Sequence, residues 1–386
     1  MRRRKNVTLI FNHFEFGREH LSKDVFLVPY YLGKQLDAEV KIVYPRYLNN
    51  LELASEHRGV KLIPLLYRSI FSRFSLWRHL NFYFYLLRNA RSIDLLVRFH
   101  LNIHTELMSV IYKVFNGKGR VYVKLDFNPN VLRSVEGHRE LNPTGFPGKL
   151  LAKLFLKSLD FCTCESLGSL ELIKKSKFLK LQFGNKLQIL PNGFDEEEFG
   201  SLGLQEKSFF EKENLIITVA RLGTIQKNTE MFLRALSRLN IKNWTVYLIG
   251  PIHPDFEETI KLFYEANPDK MDLVKFIGPV MDRQSLFEYY NRAKVFVLTS
   301  DWEGYPIVFS EAKRFRNYIV ATDLASSKDV VENNIYGVCV PVKDDNQLAV
   351  VLDEIISGKR HVDVYESFKV NEISWENLIR QLNFKL

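Results

Sequence analysis

The stretch from Ser300 to Ala312, SDWEGYPIVFSEA, constrains the fold of this chain more than any other. It follows Val295–Leu298, a short apolar run that reads as a buried parallel strand. A helical pattern then begins at Pro306, a residue suited to the first helical position. Strand, tight loop and helix in that order predict an α/β unit. The N-terminus of such a helix presents unpaired N–H groups, here those of Ile307, Val308 and Phe309, and these favour an anion such as a diphosphate. Glu303 lies in the loop before them and Glu311 farther along the helix. Neither carboxylate helps to bind phosphate. Both make sense as acceptors for hydroxyls flanking it, a sugar on one side and a ribose on the other.

Glu303 and Glu311, with seven residues between them, resemble the E-x7-E motif of family 4 glycosyltransferases, which retain anomeric configuration and have the GT-B fold. The resemblance includes Ser300 before the first Glu, Gly304, Tyr305 and Pro306 after it, and Ala312 after the second. It covers most of the chain, with the C-terminal half closer to the pattern. It implies an α/β architecture of two doubly wound Rossmann-like domains facing a central cleft. In that family Gly304 to Phe309 would line the donor site, Glu303 would hold the donor sugar and Glu311 the ribose.

Farther upstream, Leu215–Val219 reads as a strand that leads into the loop 220–228. Arg221 and Lys227, two cations at the strand's end with Gly223 between them, suit a diphosphate: Arg through two donors, Lys as a point charge. They resemble the Arg…Lys pair that neutralises the leaving nucleotide in the family, with one residue more between them than in the commonest version. Thr245–Ile249, Val274–Ile277 and Tyr318–Thr322 are further predicted strands, and Asn228–Leu239 and Arg283–Arg292 predicted helices. Asn317 stands where the family has Gly, and Leu324 to Ser327 where it has a Gly-Gly loop, so a donor pocket of altered shape is expected.

In the first half, Val7–Phe11 reads as a strand followed by a polar loop with Gly17 alone where the family has a Gly-Gly pair approaching acceptor and donor phosphates. A helix over Lys23–Leu36 and a strand over Val40–Tyr44 follow. Asp94–Phe99 reads as a strand ending at His100, with His104 one turn on. Ligands of open parallel sheets collect at such strand ends. The family places a histidine there beside the reacting sugar, which makes His100 the candidate and His104 the reserve. Alternation brings Lys124 and Asp126 onto one face of the strand that starts at Val121. A structural Lys–Asp pair is favoured there over an acceptor contact by Asp126. Leu150–Leu159 reads as a helix and Phe161–Cys164 as a buried strand.

Pro191-Asn192-Gly193 breaks regular structure and marks the domain boundary. The expected domains are 1–190, binding the acceptor, and 191–386, binding the donor, with a last amphipathic helix at about 374–384 crossing back to the first domain, as is common in this fold. Asp195 to Glu198 reads as a solvated helix start or linker.

A length of 386 residues suits two domains, each large enough for its own core. Three cysteines cannot form a disulfide framework; Cys162 and Cys164 lie in an apolar run and read as buried thiols rather than a metal or redox site, which fits a reducing cytosol. After the basic residues 1–5, the apolar run Val7–Phe11 is too short for a signal-peptide core, and no 18-residue apolar segment follows. Charge is unevenly placed. Residues 1–190 hold 31 Lys and Arg against 15 Asp and Glu, a net of +16, and residues 191–386 hold 23 against 30, a net of −7. An anionic membrane surface is the first partner this suggests and nucleic acid the second, and no nucleic-acid motif supports the second. Residues 68–91 interleave five arginines with aromatic residues and could lie in a membrane interface, the alternative being an ordinary amphipathic helix packed on the sheet.

The resemblance implies a hexosyl- or other glycosyltransferase that uses a nucleotide-sugar donor and a saccharide acceptor. The charge and the aromatics suggest a lipid-linked saccharide at the cytoplasmic face of the membrane, in the assembly of a capsule, O-antigen or exopolysaccharide. A non-catalytic sugar- or nucleotide-binding partner of another transferase, and a nucleotide-sugar epimerase of the same fold, stay open as alternatives. A pyridoxal-phosphate phosphorylase is less favoured. No grouping of His, Asp and Glu has metal-ligand spacing, so no metal and no other cofactor is expected. Turnover is therefore expected to persist in EDTA; activity lost on chelation and restored by a divalent ion would contradict this.

Overall fold

Short runs of Val, Ile and Leu alternate with amphipathic helical stretches along the chain, and burial on both faces turns the runs into parallel strands. The computed structural model describes residues 3–12, 16–46, 53–66, 79–125, 145–175, 183–241 and 243–382. The chain forms two units, Met1–Asp195 with Ser374–Leu386, and Glu196–Ile373.

The first unit holds strands β1 (Lys5–Ile10), β2 (Ala38–Arg46), β3 (Glu56–His57), β4 (Val60–Leu66), β5 (Leu95–Phe99), β6 (Arg120–Lys124), β7 (Phe161–Cys164) and β8 (Leu187–Ile189). Their order is β3-β4-β2-β1-β5-β6-β7-β8, parallel except for β3 against β4. Val7 sits in register between Val40 of β2 and Leu95 of β5. Alternation then divides the core between two faces. Val7, Leu9, Leu95 and Val97 pack with the helices Asp24–Leu36 and Trp375–Gln381. Ile10, Leu96 and Val121 pack with the helices Leu80–Asn89, Ile103–Phe115 and Gly145–Ser158.

The second unit is an all-parallel sheet of β9 (Glu213–Val219), β10 (Thr245–Ile249), β11 (Val274–Gly278), β12 (Ala293–Leu298), β13 (Tyr318–Thr322) and β14 (Gly337–Val340), in the order β11-β10-β9-β12-β13-β14. Counted along the chain this is 3-2-1-4-5-6, the order of a Rossmann sheet. Ile216, Val246, Leu248, Val295, Val297 and Val320 form its core with the helices Thr229–Ser237 and Asp345–Ile356. Both sheets agree with the expected α/β class. β4, with Pro64 inside it, and the four-residue β14 escaped the sequence reading because each carries a weak strand signal.

Asp195 differs from its expectation as a solvated position. It is buried, with its carboxylate accepting from Tyr31 Oη at 2.6 Å and from the Arg58 guanidinium. Burial and the neighbouring Asp195 charge push the Tyr31 phenol well above its ordinary pKa. The acidic helix expected to start there runs over Glu196–Ser201, where Glu196 pairs with Arg314 at 2.6 Å.

A second buried polar cluster sits beneath the helices Leu80–Asn89 and Ile103–Phe115. Arg98 is fully buried and has no carboxylate partner among the described residues; its guanidinium donates to the Ile10 carbonyl and, at 2.6 Å, to Asn12 Oδ1. Asn12 Nδ2 lies 3.2 Å from His79 Nδ1, the His79 and His104 rings are 4.0 Å apart, and His104 Nδ1 lies 3.0 Å from Tyr83 Oη. Burial, reinforced by the Arg98 charge, lowers the His104 pKa to about 4 from its ordinary 6.5. A folded-state pKa below the unfolded value means that the neutral ring is favoured in the native state. The stabilisation is complete above pH 6.5 and is lost as the pH falls towards 4. Burial shifts His20 in the same direction. Acidification from pH 7 to 4 is expected to destabilise the first unit, with His104 contributing on the order of 2–3 kcal/mol. Urea unfolding of His104→Gln across this range checks it: the variant should lose less stability on acidification than the natural chain.

Candidate active site

Ligands of a doubly wound sheet bind outside the carboxyl ends of its strands, where the strand order reverses. In the second unit that place lies between β9 and β12, and the loops leaving those two strands carry the residues singled out above. The loop after β9 runs from Ala220 to Asn228. Gly223 turns it with φ +77°, and a Cβ there would clash with the Phe256 ring. The loop after β12 runs from Thr299 to Pro306. Asp301 N donates to the Gln226 carbonyl at 2.8 Å, Asn228 Nδ2 to Asp301 Oδ1 at 2.8 Å, and Thr299 Oγ1 lies 3.0 Å from the carbonyls of Lys227 and Asn228. The two loops are thus one hydrogen-bonded body.

Within it the structure brings Arg221, Lys227 and Glu303 together. Lys227 Nζ forms an ion pair with Glu303 Oε1, and Ser300 Oγ donates to the same oxygen at 2.6 Å. Gln226 joins this pair to Arg221: its Nε2 donates to Glu303 Oε2 at 3.3 Å and to the Trp302 carbonyl at 3.0 Å, while its Oε1 accepts from Arg221 Nη2 at 2.8 Å. Arg221 itself is exposed. Gln226 was not foreseen as a member of the site, and Ser300 only as part of the motif around Glu303, without a role. Their signal was their position in the two loops, which side-chain chemistry alone does not reveal.

The helix after β12 spans Ile307–Arg314, with Pro306 as its N-cap at φ −66°, ψ 135° rather than as its first residue. The fixed proline φ suits either position, and the extended ψ places the helix start one residue later. Phe309 N donates to the Pro306 carbonyl at 3.1 Å, closing the first turn. The N–H groups of Ile307 and Val308 find no backbone acceptor among the described residues. Gly304 and Tyr305 complete the loop, with the Tyr305 ring edge-on to Phe309.

Glu311 lies in the interior of the helix, buried, with Tyr290 Oη donating to Oε2 at 2.9 Å and Arg283 Nη1 to Oε1 at 2.8 Å. Arg283 also pairs with Glu198 at 3.3 Å and stacks over Phe287. Burial, reinforced by the Glu311 charge, raises the Tyr290 phenol well above its ordinary pKa, so it stays a donor. Each carboxylate oxygen keeps a further lone pair for a hydroxyl. At the expected Gly-Gly position the chain instead forms the helix Ala325–Val331, with the Ser326 and Ser327 hydroxyls buried and without hydrogen-bond partners among the described residues.

The first unit has the same strand reversal between β1 and β5. His100 follows β5 there with φ +57°, a left-handed conformation that is unusual for a residue with a side chain, and its N–H donates to the Lys124 carbonyl at 2.9 Å. Gly17 lies in the loop after β1 with an extended backbone, its N–H donating to His20 Nδ1 at 2.9 Å. His104 is a turn away from His100 in sequence but faces inward, in the Arg98 cluster. Lys124 is fully buried and paired with Asp24 at 2.7 Å and with Glu165. Asp126, and residues 68–78 of the basic aromatic run, lie outside the described residues. Among the described residues no group of three or more His, Cys, Asp or Glu is placed to hold a metal ion.

Residues 204–372 match the family model for glycosyl transferases group 1. The chain is 26% identical over 215 residues to an uncharacterized glycosyltransferase, MJ1607, of Methanocaldococcus jannaschii, covering 51% of this chain and 53% of that protein. It is 26% identical over 161 residues to the amylovoran biosynthesis glycosyltransferase AmsD of Erwinia amylovora, covering 42% and 43%. The chain thus spans about half the length of the curated relatives it matches. Its whole fold is similar to that of Anabaena HepE, solved in complex with UDP and glucose, at a TM-score of 0.67, 13% identity and 98% coverage of both chains. Residues 204–372 therefore form a glycosyl transferases group 1 domain, within a chain that has the GT-B fold.

Proposed function

We propose that this chain is a retaining glycosyltransferase that moves a sugar from a nucleotide-sugar donor to a saccharide acceptor. The observation that carries the reading is the Arg221–Gln226–Glu303–Lys227 constellation at the strand reversal of the second unit, beside the start of the helix Ile307–Arg314. The donor's two phosphates sit against Arg221, Lys227 and the N–H groups of Ile307 and Val308. Lys227 has three ammonium donors, so it can keep Glu303 while reaching a phosphate oxygen. Glu303 holds hydroxyls of the donor sugar, and Glu311, steadied by Tyr290 and Arg283, accepts from the ribose. As the bond from the anomeric carbon to the phosphate oxygen breaks, charge grows on the diphosphate, and these donors stabilise it in place. The acceptor oxygen bonds to the anomeric carbon on the same face, and its proton passes to the leaving phosphate, so no side-chain base and no metal ion are required. His100, held in its left-handed conformation at the end of β5, is the catalytic residue assigned to the first unit, whose strand ends bind the acceptor.

Two similar proteins support this: AmsD is an amylovoran biosynthesis glycosyltransferase, and HepE was solved in complex with UDP and glucose. A lipid-linked saccharide in cell-surface polysaccharide assembly suits the basic first half of the chain, with the protein peripheral on the inner face of the membrane. Among the described residues no helix is long and apolar enough to cross a membrane.

Thermal-shift screening against a panel of nucleotide sugars is expected to find donors that raise the melting temperature. Lys227→Met should weaken the best of them by roughly 10–100-fold, the loss of one charge-assisted phosphate contact. A panel with no binder, together with no hydrolysis or transfer from any donor, would reject the reading. His100→Ala should lower kcat by about 100-fold or more with donor binding retained; turnover equal to that of the natural chain would remove His100 from the site.

A further inference from the structure

The helix Gly145–Ser158 has two unlike sides. Ala152 and Phe155 are buried, on the side that packs against the helix Ile103–Phe115. On the other side Phe146, Leu150 and Leu154 are 80%, 45% and 41% exposed. A spacing of four residues places them in one row along the helix. Lys149, Lys153 and Lys157 follow each of them by three residues and form a second row beside the first; all three are exposed, and none has an acidic partner among the described residues. The helix contains no Asp or Glu. Two helices along in the same layer, Phe84 and Leu87 are exposed beside Arg88.

An apolar row left in water costs transfer free energy, and a phenylalanine leading it is not the scattered exposure of an ordinary surface. A second copy of the same face is a poor cover. Pairing it with itself would bring lysines against lysines, and the helix offers no carboxylate to meet them. The first 190 residues, which include this helix, carry a net +16, which selects an anionic partner. A flat surface with an apolar layer beneath a layer of phosphates meets both rows at once.

We propose that the helix Gly145–Ser158 docks this chain on an anionic lipid bilayer, with Phe146, Leu150 and Leu154 at the acyl boundary and the three lysines among the headgroup phosphates. The run 68–91 singled out in the sequence is not needed for this contact. The proposal deepens the membrane side of the function proposed above and rests on that reading only for the reason the chain should be at a membrane; donor binding does not depend on it.

The test is sedimentation of the full chain with vesicles of phosphatidylcholine alone and of an equal mixture of phosphatidylcholine and phosphatidylglycerol, at rising salt. The natural chain should partition onto the mixed vesicles and be released by salt. Phe146→Ser should lower the partition coefficient about tenfold. Combined Lys149→Gln, Lys153→Gln and Lys157→Gln should lower it by roughly 100-fold and flatten the salt dependence. Both variants should keep the thermal shift given by a nucleotide-sugar donor, which shows that they are folded. No binding by the natural chain overturns the proposal, and so does equal binding by the folded variants. Concentration-dependent self-association that Phe146→Ser abolishes, without vesicle binding, overturns it in favour of a second copy. Vesicle binding that follows this helix while no donor binds the natural chain would support the docking face and reject the transferase reading, so the two failures are distinct.

Discussion

The ion pair of Lys227 and Glu303 is the contact on which the second unit's site depends. Both side chains are largely buried, and a buried pair of this kind is seldom a net source of stability, because desolvation offsets the attraction. Its consequence is positional. Lys227 stands near the end of the loop after β9 and Glu303 in the loop after β12, so the pair ties together the two loops that diverge at the strand reversal. Ser300, Gln226 and the Asn228–Asp301 contact brace it from several sides. A cation held this way is aimed in advance, so that in the reaction proposed above little reorganisation would remain for the moment when charge develops.

Carboxylates elsewhere in the chain show how differently the same chemistry can be used. Glu311 is steadied by Tyr290 and Arg283, and Asp195 by Tyr31 and Arg58. Lys124 sits fully buried with two carboxylates, whereas Arg98, equally buried, has among the described residues only neutral acceptors such as the Ile10 carbonyl and Asn12. That uncompensated charge helps to keep His104 neutral, which turns a candidate site histidine into part of a buried polar cluster. His100, four residues earlier, remains at the strand end.

The charge imbalance also changes meaning once side chains have places. As a total it describes only a basic half and an acidic half. On the surface, Lys149, Lys153 and Lys157 run beside an apolar row with no acidic partner among the described residues, while Lys113 and Arg120 share Asp160 and Lys61 pairs with Glu39. A patterned row of cations carries information that the sum does not.

What the sequence determined by itself was local. The strand–loop–helix around Ser300 to Ala312, the cations Arg221 and Lys227, and the strands Phe161–Cys164, Thr245–Ile249 and Tyr318–Thr322 are legible because apolar period, Gly, Pro and charge act over a few neighbouring residues. Tertiary structure alone decided which of these meet. Gln226 reaches Glu303 across 77 positions of chain, Arg283 reaches Glu311 across 28, and Lys124 reaches Asp24 across 100. Strand order, and with it the reversal between β9 and β12, is set by how helices cover the two faces of a sheet, which no short window of sequence records. For the same reason the outward row of the helix Gly145–Ser158 became visible only when its inward row had found a partner: exposure belongs to the packed molecule, not to the residue.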